Sequence, residues 1–499
     1  MCIKLRASAI VLLLTLYLSH TVGGQPQENE NTGSKPNIIY ILTDDLGYGE
    51  LGCYGQDKIK TPNLDRLAEQ GMRFTQHYSG SPVCASSRCV LMTGKHTGHA
   101  YIRGNSEVGG WGPEFPEGQA PLPAKEVAVA ELLKVRGYAT AAIGKWGLGG
   151  PGSVGHPNFQ GFDLFYGYLC QRVAHNFYPT HLWWNHDVDI LGNKYFKAHQ
   201  RIKNVPDSPE GWDQYAGNVY STDKMIHWAE KFIDQNKSQP FFLYYATTVP
   251  HVSLQVPEDS LKEYEGQFEE TPYLGNKGYT PHPKPRAAYA AMITRMDRNV
   301  GRILAKLEAL GLADKTIVMF SSDNGPTFNG GVDHDFFQSA GPLRGLKGST
   351  FEGGLRVPMI ARWPGKIKAG SVTDHVSAFE DVLPTVCDLS GGKAPNSIDG
   401  ISFLPTLLGQ ADNQNQHQYL YWELKLQQSV RSGKWKLYRK ADKKGQIKKQ
   451  LLFDLESDIG ETTDLSETHP DDLKRMLSIA REARFPSKQF PSPFDKTTN

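Results

Sequence analysis

Short, continuously apolar runs alternate with amphipathic segments along the first two-thirds of this 499-residue chain, and that alternation restricts the fold more than any other feature. Residues 37–42 (NIIYIL, after Pro36), 139–144, 241–247 (FFLYYAT) and Thr316–Ser322 read as buried strands. Residues 62–70, 126–136, 224–236 and 287–310 carry helical periodicity. The first of these has Thr61 before it, Pro62 at its first position, Leu64, Leu67 and Ala68 as its face, and Gly71 as its stop. Strands separated by helices mean an α/β fold with a doubly wound, mainly parallel sheet. In such sheets ligands bind beyond the carboxyl ends of the strands. Asp44, Lys145, His251 and Asp323 all fall at or just after such ends, so residues far apart in sequence are expected on one rim.

After residue 412 the texture changes. Residues 418–423, 435–438 and 451–455 read as short antiparallel strands and 470–483 as a helix, so 412–499 is expected to be a small α+β subdomain on a main domain of residues 36–411. Residues 1–24 have the form of a secretory signal. Lys4 and Arg6 precede an apolar run at 9–18 that is too short to span a bilayer, and Val22 and Gly24 suit cleavage. Residues 25–35 are polar and read as a disordered lead-in. The mature chain is therefore expected to be exported, to the periplasm or the medium, with no membrane attachment after cleavage. A net charge of +1 leaves no footprint for a nucleic-acid partner. Five cysteines remain beyond residue 24: Cys53, Cys84, Cys89, Cys170 and Cys387. None has metal-type C-x-x-C spacing, and one or two disulfides have room without the sequence pairing them.

The chemistry concentrates in residues 81–105, SPVCASSRCVLMTGKHTGHAYIRGN. They read as a loop opening into a helix, with Cys84 at the mouth, Ser86, Ser87 and Arg88 at the start, Val90, Leu91 and Met92 as the apolar face and Gly94 as the stop. A helix start is an anion site, and a Cys and an Arg placed there suit attack on an oxyanion. The plain alternative is a buried, inert cysteine on a packed turn. Asp44, Asp45, Asp323 and Asn324 offer only oxygen ligands, a set that suits Ca²⁺ or Mg²⁺ rather than Zn²⁺; the alternative for Asp44-Asp45 is a solvated turn. Residues 162–187 hold many rings, among them Tyr166, His175, His181 and Trp183, without a clean period. They read either as a loop-rich patch with its own core or as a wall on which sugar faces stack. Residues 343–357 are Gly-rich and carry Arg344, Lys347 and Arg356.

Cys84-Ala85-Ser86-Ser87-Arg88, followed by Leu91-Met92-Thr93-Gly94-Lys95, resembles the signature of the formylglycine-dependent sulfatases of the alkaline phosphatase superfamily, C-x-P-S-R and a Leu-Thr-Gly element. The resemblance implies that Cys84 is oxidised by a formylglycine-generating maturation enzyme and that the aldehyde hydrate is the nucleophile. It implies Ca²⁺, with Mg²⁺ as the alternative, held by Asp44, Asp45, Asp323, Asn324 and an oxygen at position 84. It further implies that Arg88, Lys145, His251 and Lys347 serve the reaction, each matching a basic position of the family's motifs. Two departures stand out. Ser86 replaces the usual Pro or Ala, which bears on the type of maturation enzyme. Gly147, in Gly144-Lys145-Trp146-Gly147-Leu148-Gly149, replaces a His that many members use against the formylglycine hydrate; His96, His99 and His175 are the candidates to take its place.

The chemistry implied by the resemblance is attack of the hydrated aldehyde on sulfur, with charge absorbed by the cation, Lys145, Lys347 and the helix start, and with protonated His251 delivering a proton to the departing alcohol. Loss of the second hydroxyl's proton would then expel sulfate and restore the aldehyde, a step closed to a plain cysteine. The expected substrate is a sulfated galactose-type sugar cleaved from the end of a chain, with His99, Arg103, His175 and His181 as candidate contacts. A phosphodiesterase or phosphonate monoester hydrolase of the same superfamily and a non-catalytic binder of sulfated glycan are the rival readings.

Overall fold

β1 (Asn37–Thr43) lies at the centre of an 11-stranded sheet, parallel to β7 (Phe241–Ala246) on one side and β8 (Thr316–Ser322) on the other. All seven residues of β1 are buried, as befits a strand covered on both faces, and that is why it reads as one apolar run. The sheet continues from β7 through β3 (Ala139–Lys145) and β4 (Leu164–Tyr168), all parallel, to β5 (His181–Trp184) and β6 (Asp187–Ile190), which are antiparallel additions. On the other side β9 (Arg356–Arg362) runs antiparallel to β8, and β2 (Met72–Tyr78) antiparallel to β9. The short strands β10 (Ser371–Thr373) and β11 (Ser377–Ala378) both pair with β2.

The computed structural model describes residues 35–496 apart from Trp111, Pro113 and Phe115, and these belong to one compact unit. The expected signal segment and nearly all of the lead-in lie outside the described residues. Among the described residues no helix is long and apolar enough to cross a membrane, and all five cysteines are free.

The alternation along β1 assigns its side chains to two cores. Ile39 and Ile41 face the helices Ser221–Asn236 and Pro285–Ala309, with Met225, Tyr289 and Ile293. Ile38, Tyr40 and Leu42 face the helices Cys84–Thr93 and Val382–Leu389, with Val90 and Val386. Each such fully buried aliphatic or aromatic side chain contributes about 1.5–3 kcal/mol before the cost of ordering it. Helices on both faces of a mainly parallel sheet make this the doubly wound α/β architecture.

A second sheet follows: β12 (Leu420–Leu424), β13 (Gln427–Ser432), β14 (Trp435–Ala441) and β15 (Ile447–Asp454), antiparallel in that order, covered by the helix Pro470–Glu482 through Met476 and Ala480. Its anchor is Lys436, whose buried ammonium lies 2.6 Å from Glu352 Oε1 and 3.6 Å from Glu461 Oε1. Gln427 Nε2 donates to Gly348 O at 2.9 Å, and Ser429 Oγ to Thr350 O at 2.9 Å. The small sheet thus holds the loop that carries Lys347.

Three sequence expectations need correction. The helix expected at 126–136 spans only Val129–Val135, because Ala128 N donates to Glu131 Oε2 at 2.8 Å and fixes the start there. Residues 162–187 are neither a loop patch nor wholly a wall: β4 and β5 run through them, and Tyr166, Tyr168 and Phe177 are core. The Gly-rich 343–357 stretch ends in β9, a strand the sequence reading did not contain.

Candidate active site

The helix Cys84–Thr93 is buried along its whole length and ends at Gly94, whose φ of 68° closes it in the left-handed conformation. No side chain caps it locally. Instead Ala85 N donates to Asn105 Oδ1 at 3.0 Å, so the far end of the 81–105 stretch folds back onto its start. Ser86 Oγ, at the position of the signature's Pro, donates to Ser81 Oγ at 2.7 Å and steadies the same loop.

Around Cys84 the strand ends converge as their register demands. Thr43 pairs with Ser322, and Ala246 with both Leu42 and Gly144, so β1, β3, β7 and β8 finish level. Asp44 therefore lies with its Oδ1 3.3 Å from Cys84 Sγ and its Oδ2 2.6 Å from Lys145 Nζ. Asp45 Oδ1 is 4.0 Å from Cys84 Sγ, and Asp45 Oδ2 accepts from Lys347 Nζ at 2.7 Å, with His251 Nε2 3.7 Å away. Arg88 grips Asp323 Oδ2 through Nε and Nη2 at 3.0 and 2.8 Å and also donates to Lys145 O. Asn324 Nδ2 donates to Asp45 Oδ1 at 2.8 Å. Every residue expected at the nucleophile and metal positions is in this one buried cluster; the solvated-turn alternative for Asp44-Asp45 fails, since both are fully buried.

Three carboxylates face three fixed cations here, and burial sets the titration of the rest. Burial works to raise Asp44, but Lys145, His251, Arg88 and Lys347 hold its carboxyl well below the usual range. Asp323 is pushed the other way, up to about 7, by burial and the Asp44 charge against the pull of Arg88. Burial, then Asp44, pushes the Cys84 thiol far up, so the unmodified side chain is a protonated thiol at neutral pH and a poor nucleophile. Burial, then Lys347, pushes His251 down to about 4. Its imidazole is neutral in this state, against the expectation of a protonated acid; an anionic sulfate ester beside it would favour the charged form.

The donor set fits a divalent cation. Asp44, Asp45, Cys84 and His251 present atoms within 4.8 Å of one another. Asn324 Oδ1 is buried with no hydrogen-bond partner, while the amide nitrogen of the same side chain is engaged. An orphaned amide oxygen among carboxylates is what a hard cation would satisfy.

The candidate substrate contacts divide. His175 stacks on His251 with centroids 4.8 Å apart and planes 9° from parallel, and shares a hydrogen bond with His199 at 3.0 Å. His181 Nε2 lies 2.6 Å from Glu117 Oε1, on the wall of a cavity of about 600 Å³ also lined by Arg172, Trp183, Phe196 and His199. His199 joins that cavity to the His175–His251 stack. His99 and Arg103 are engaged elsewhere: His99 with Asp399 at 2.8 Å and stacked on Phe485, Arg103 with Glu423 at 3.1 Å. His96 stacks on His99, so of the three candidates for the missing residue-147 side chain only His175 reaches the cluster. Asn105, Glu117 and His199 were not among the expected residues. Asn105 alone had a signal, its place in the 81–105 stretch.

Comparison with known proteins agrees with this geometry. The family model described as Sulfatase matches residues 36–392, and one described as N-sulphoglucosamine sulphohydrolase, C-terminal, matches residues 347–480. The chain is 34% identical to Arylsulfatase A of Homo sapiens over 427 residues, covering 81% of this chain and 74% of that protein. It is 32% identical to N-acetylgalactosamine-6-sulfatase of Rattus norvegicus over 422 residues, covering 81% and 70%. A solved structure of Ps i-CgsB in complex with k-i-k-neocarrahexaose superposes with a TM-score of 0.70 at 29% identity, covering 90% of this chain and 92% of the other.

Proposed function

Because the chain belongs to the sulfatase family and is a sulfuric ester hydrolase, we propose that it removes sulfate from a galactose-type sugar at a chain end, through a formylglycine made from Cys84 and with a bound Ca²⁺. The observation that carries this reading is the burial of Cys84 at a helix start between Asp44 and Asp45, with Lys145, Lys347 and Arg88 closing the circle. An aldehyde at this position, once hydrated, supplies an oxygen nucleophile in place of the thiol. Asp44, Asp45, Asp323 and Asn324 would hold the cation, which when bound supplies Lewis-acid stabilisation of negative charge on oxygen.

The chain's own residues do the remaining work. Lys145 and Lys347, each already aimed at the cluster through a carboxylate, are placed to share the sulfate oxygens' charge. Arg88 holds Asp323 and the end of β3 in place. His251, which stacks on His175, would give the leaving alcohol its proton. The cavity bordered by Trp183, Phe196 and His181 offers rings and polar tips for a sugar, within the usual size of a small-ligand pocket. The sugar assignment draws support from relatives: one is named N-acetylgalactosamine-6-sulfatase, and a structural neighbour is described in complex with k-i-k-neocarrahexaose. With the sequence of residues 1–24, the same reading takes the protein as exported, matured by a formylglycine-generating enzyme, and divided at about residue 411 between main and C-terminal parts.

The test is turnover. Matured wild-type protein is expected to release inorganic sulfate from N-acetylgalactosamine or galactose sulfates, and Cys84→Ala to lose essentially all of that activity. Turnover by Cys84→Ala at the wild-type rate would refute the nucleophile assignment. Activity on phosphate diesters in preference to sulfate esters would overturn the substrate class.

A further inference from the structure

Gln171 is almost wholly buried, and neither its Nε2 nor its Oε1 has a hydrogen-bond partner. A buried carboxamide that leaves every donor and acceptor unused calls for a group absent from the protein itself. Its location narrows what that group is. A Cβ built on Gly147 would lie 2.9 Å from Gln171 Nε2 and 3.1 Å from its Cγ, and Gly147 has a φ of 82°. The carboxamide therefore fills the space a side chain at 147 would enter: a Cβ there would push the amide aside and would itself be strained by the positive φ. Gly147 is two residues beyond Lys145, whose ammonium is on Asp44. On its other flank Gln171 N donates to Gln119 Oε1 at 3.4 Å, and Gln119 Nε2 to Ser106 O at 3.2 Å. Ser106 follows Asn105, the residue that caps Ala85. Gln171 is thus joined on one side, through Gly147, to the segment that carries Lys145, and on the other, through Gln119, to the loop that caps the Cys84 helix.

We propose that the Gln171 carboxamide binds the sulfate group of the substrate in the space that Gly147 leaves open. The inference rests on the sulfatase reading above. The amide N–H groups donate to sulfate oxygens, and Oε1 accepts from a hydroxyl. Because a carboxamide neither gains nor loses a proton near neutrality, this contact adds charge stabilisation without adding a limb to the pH–rate profile. Recognition of sulfate here is divided between charged ammonium groups and one neutral amide.

Steady-state kinetics of matured protein on 4-nitrophenyl sulfate, with Gln171→Met, test this. Methionine keeps the volume of the side chain and removes its hydrogen bonds. The expected result is a fall in kcat/KM of about 10- to 100-fold, the range for a lost hydrogen bond to a charged group. Calorimetric affinity for inorganic sulfate should weaken in parallel, with an unchanged melting temperature and unchanged aldehyde content at position 84. Gly147→Ala should lower kcat/KM in the wild-type background and do much less in the Gln171→Met background, since the two act on the same space. Wild-type kcat/KM and wild-type sulfate affinity in Gln171→Met would overturn the proposal. A wild-type protein that binds sulfate but turns over no ester would instead fault the nucleophile assignment, and the sulfate affinities of the two proteins would still decide the role of Gln171.

Discussion

Asp323 and Asn324 are neighbours in sequence with opposite problems. Asp323 has more partners than one carboxylate needs, with Arg88 on Oδ2 and Asp45 N donating to Oδ1 at 3.1 Å. Asn324 has an amide oxygen with none. With that oxygen on the cation, Asn324→Ala should raise the Ca²⁺ concentration for half-saturation at least about tenfold, a change calorimetry reads without turnover. Unchanged Ca²⁺ affinity would remove Asn324 from the ligand set. At this scale the sequence was legible wherever a residue followed a strand: Asp44, Lys145, His251 and Asp323 were each placed by the end of an apolar run. Gln171 was not, because nothing in its neighbours in sequence signals a contact with Gly147. For His99 and Arg103, a motif-like setting gives no hint that Asp399 and Glu423 engage them.

The elements behind the site are fastened by buried polar groups, and one of these makes stability depend on pH. Asp381, at the start of the helix Val382–Leu389, accepts from Ala378 N at 2.7 Å, Ile401 N at 2.8 Å and His417 Nε2 at 2.8 Å, tying β11 to the segment leading into β12. Burial alone would lower His417, but Asp381 and its neighbours raise it to about 9. A histidine raised above its unfolded value of about 6.5 contributes stability that is full below that pH and is lost as pH rises to about 9. Glu380, pushed by burial up to about 8, acts in the same direction, since it keeps its proton in the fold while the unfolded carboxyl ionises, and its contribution is lost between about pH 4.5 and 8. The melting temperature should therefore fall between pH 6.5 and 9, and His417→Gln should flatten that fall while lowering the melting temperature at pH 6. An identical pH dependence in the variant would show that the His417–Asp381 pair is not its source. Helix boundaries were legible where a cap was written in the sequence, as at Thr61-Pro62. They were not at 126–136, where one carboxylate, Glu131, decides the start.

For the molecule as a whole, the parallel centre was readable because strands buried on both faces are apolar through their middles, with polar residues only near their ends. The edges were not. β2 (MRFTQHY), β9 and β13 (QQSVRS) mix polar and apolar residues, and only their sheet neighbours make strands of them. The site depends on that illegible part as well, since the loop carrying Lys347 is held by the small sheet through Gln427, Ser429 and Lys436. All of this architecture converges on one side chain, and its chemical state is the most direct question to put to the protein. Mass spectrometry of the proteolytic peptide containing residue 84, from protein made alongside a competent maturation enzyme, reads that state. The expected mass is that of an aldehyde in place of the thiol at Cys84; an intact thiol in protein that still hydrolyses sulfate esters would contradict a formylglycine nucleophile.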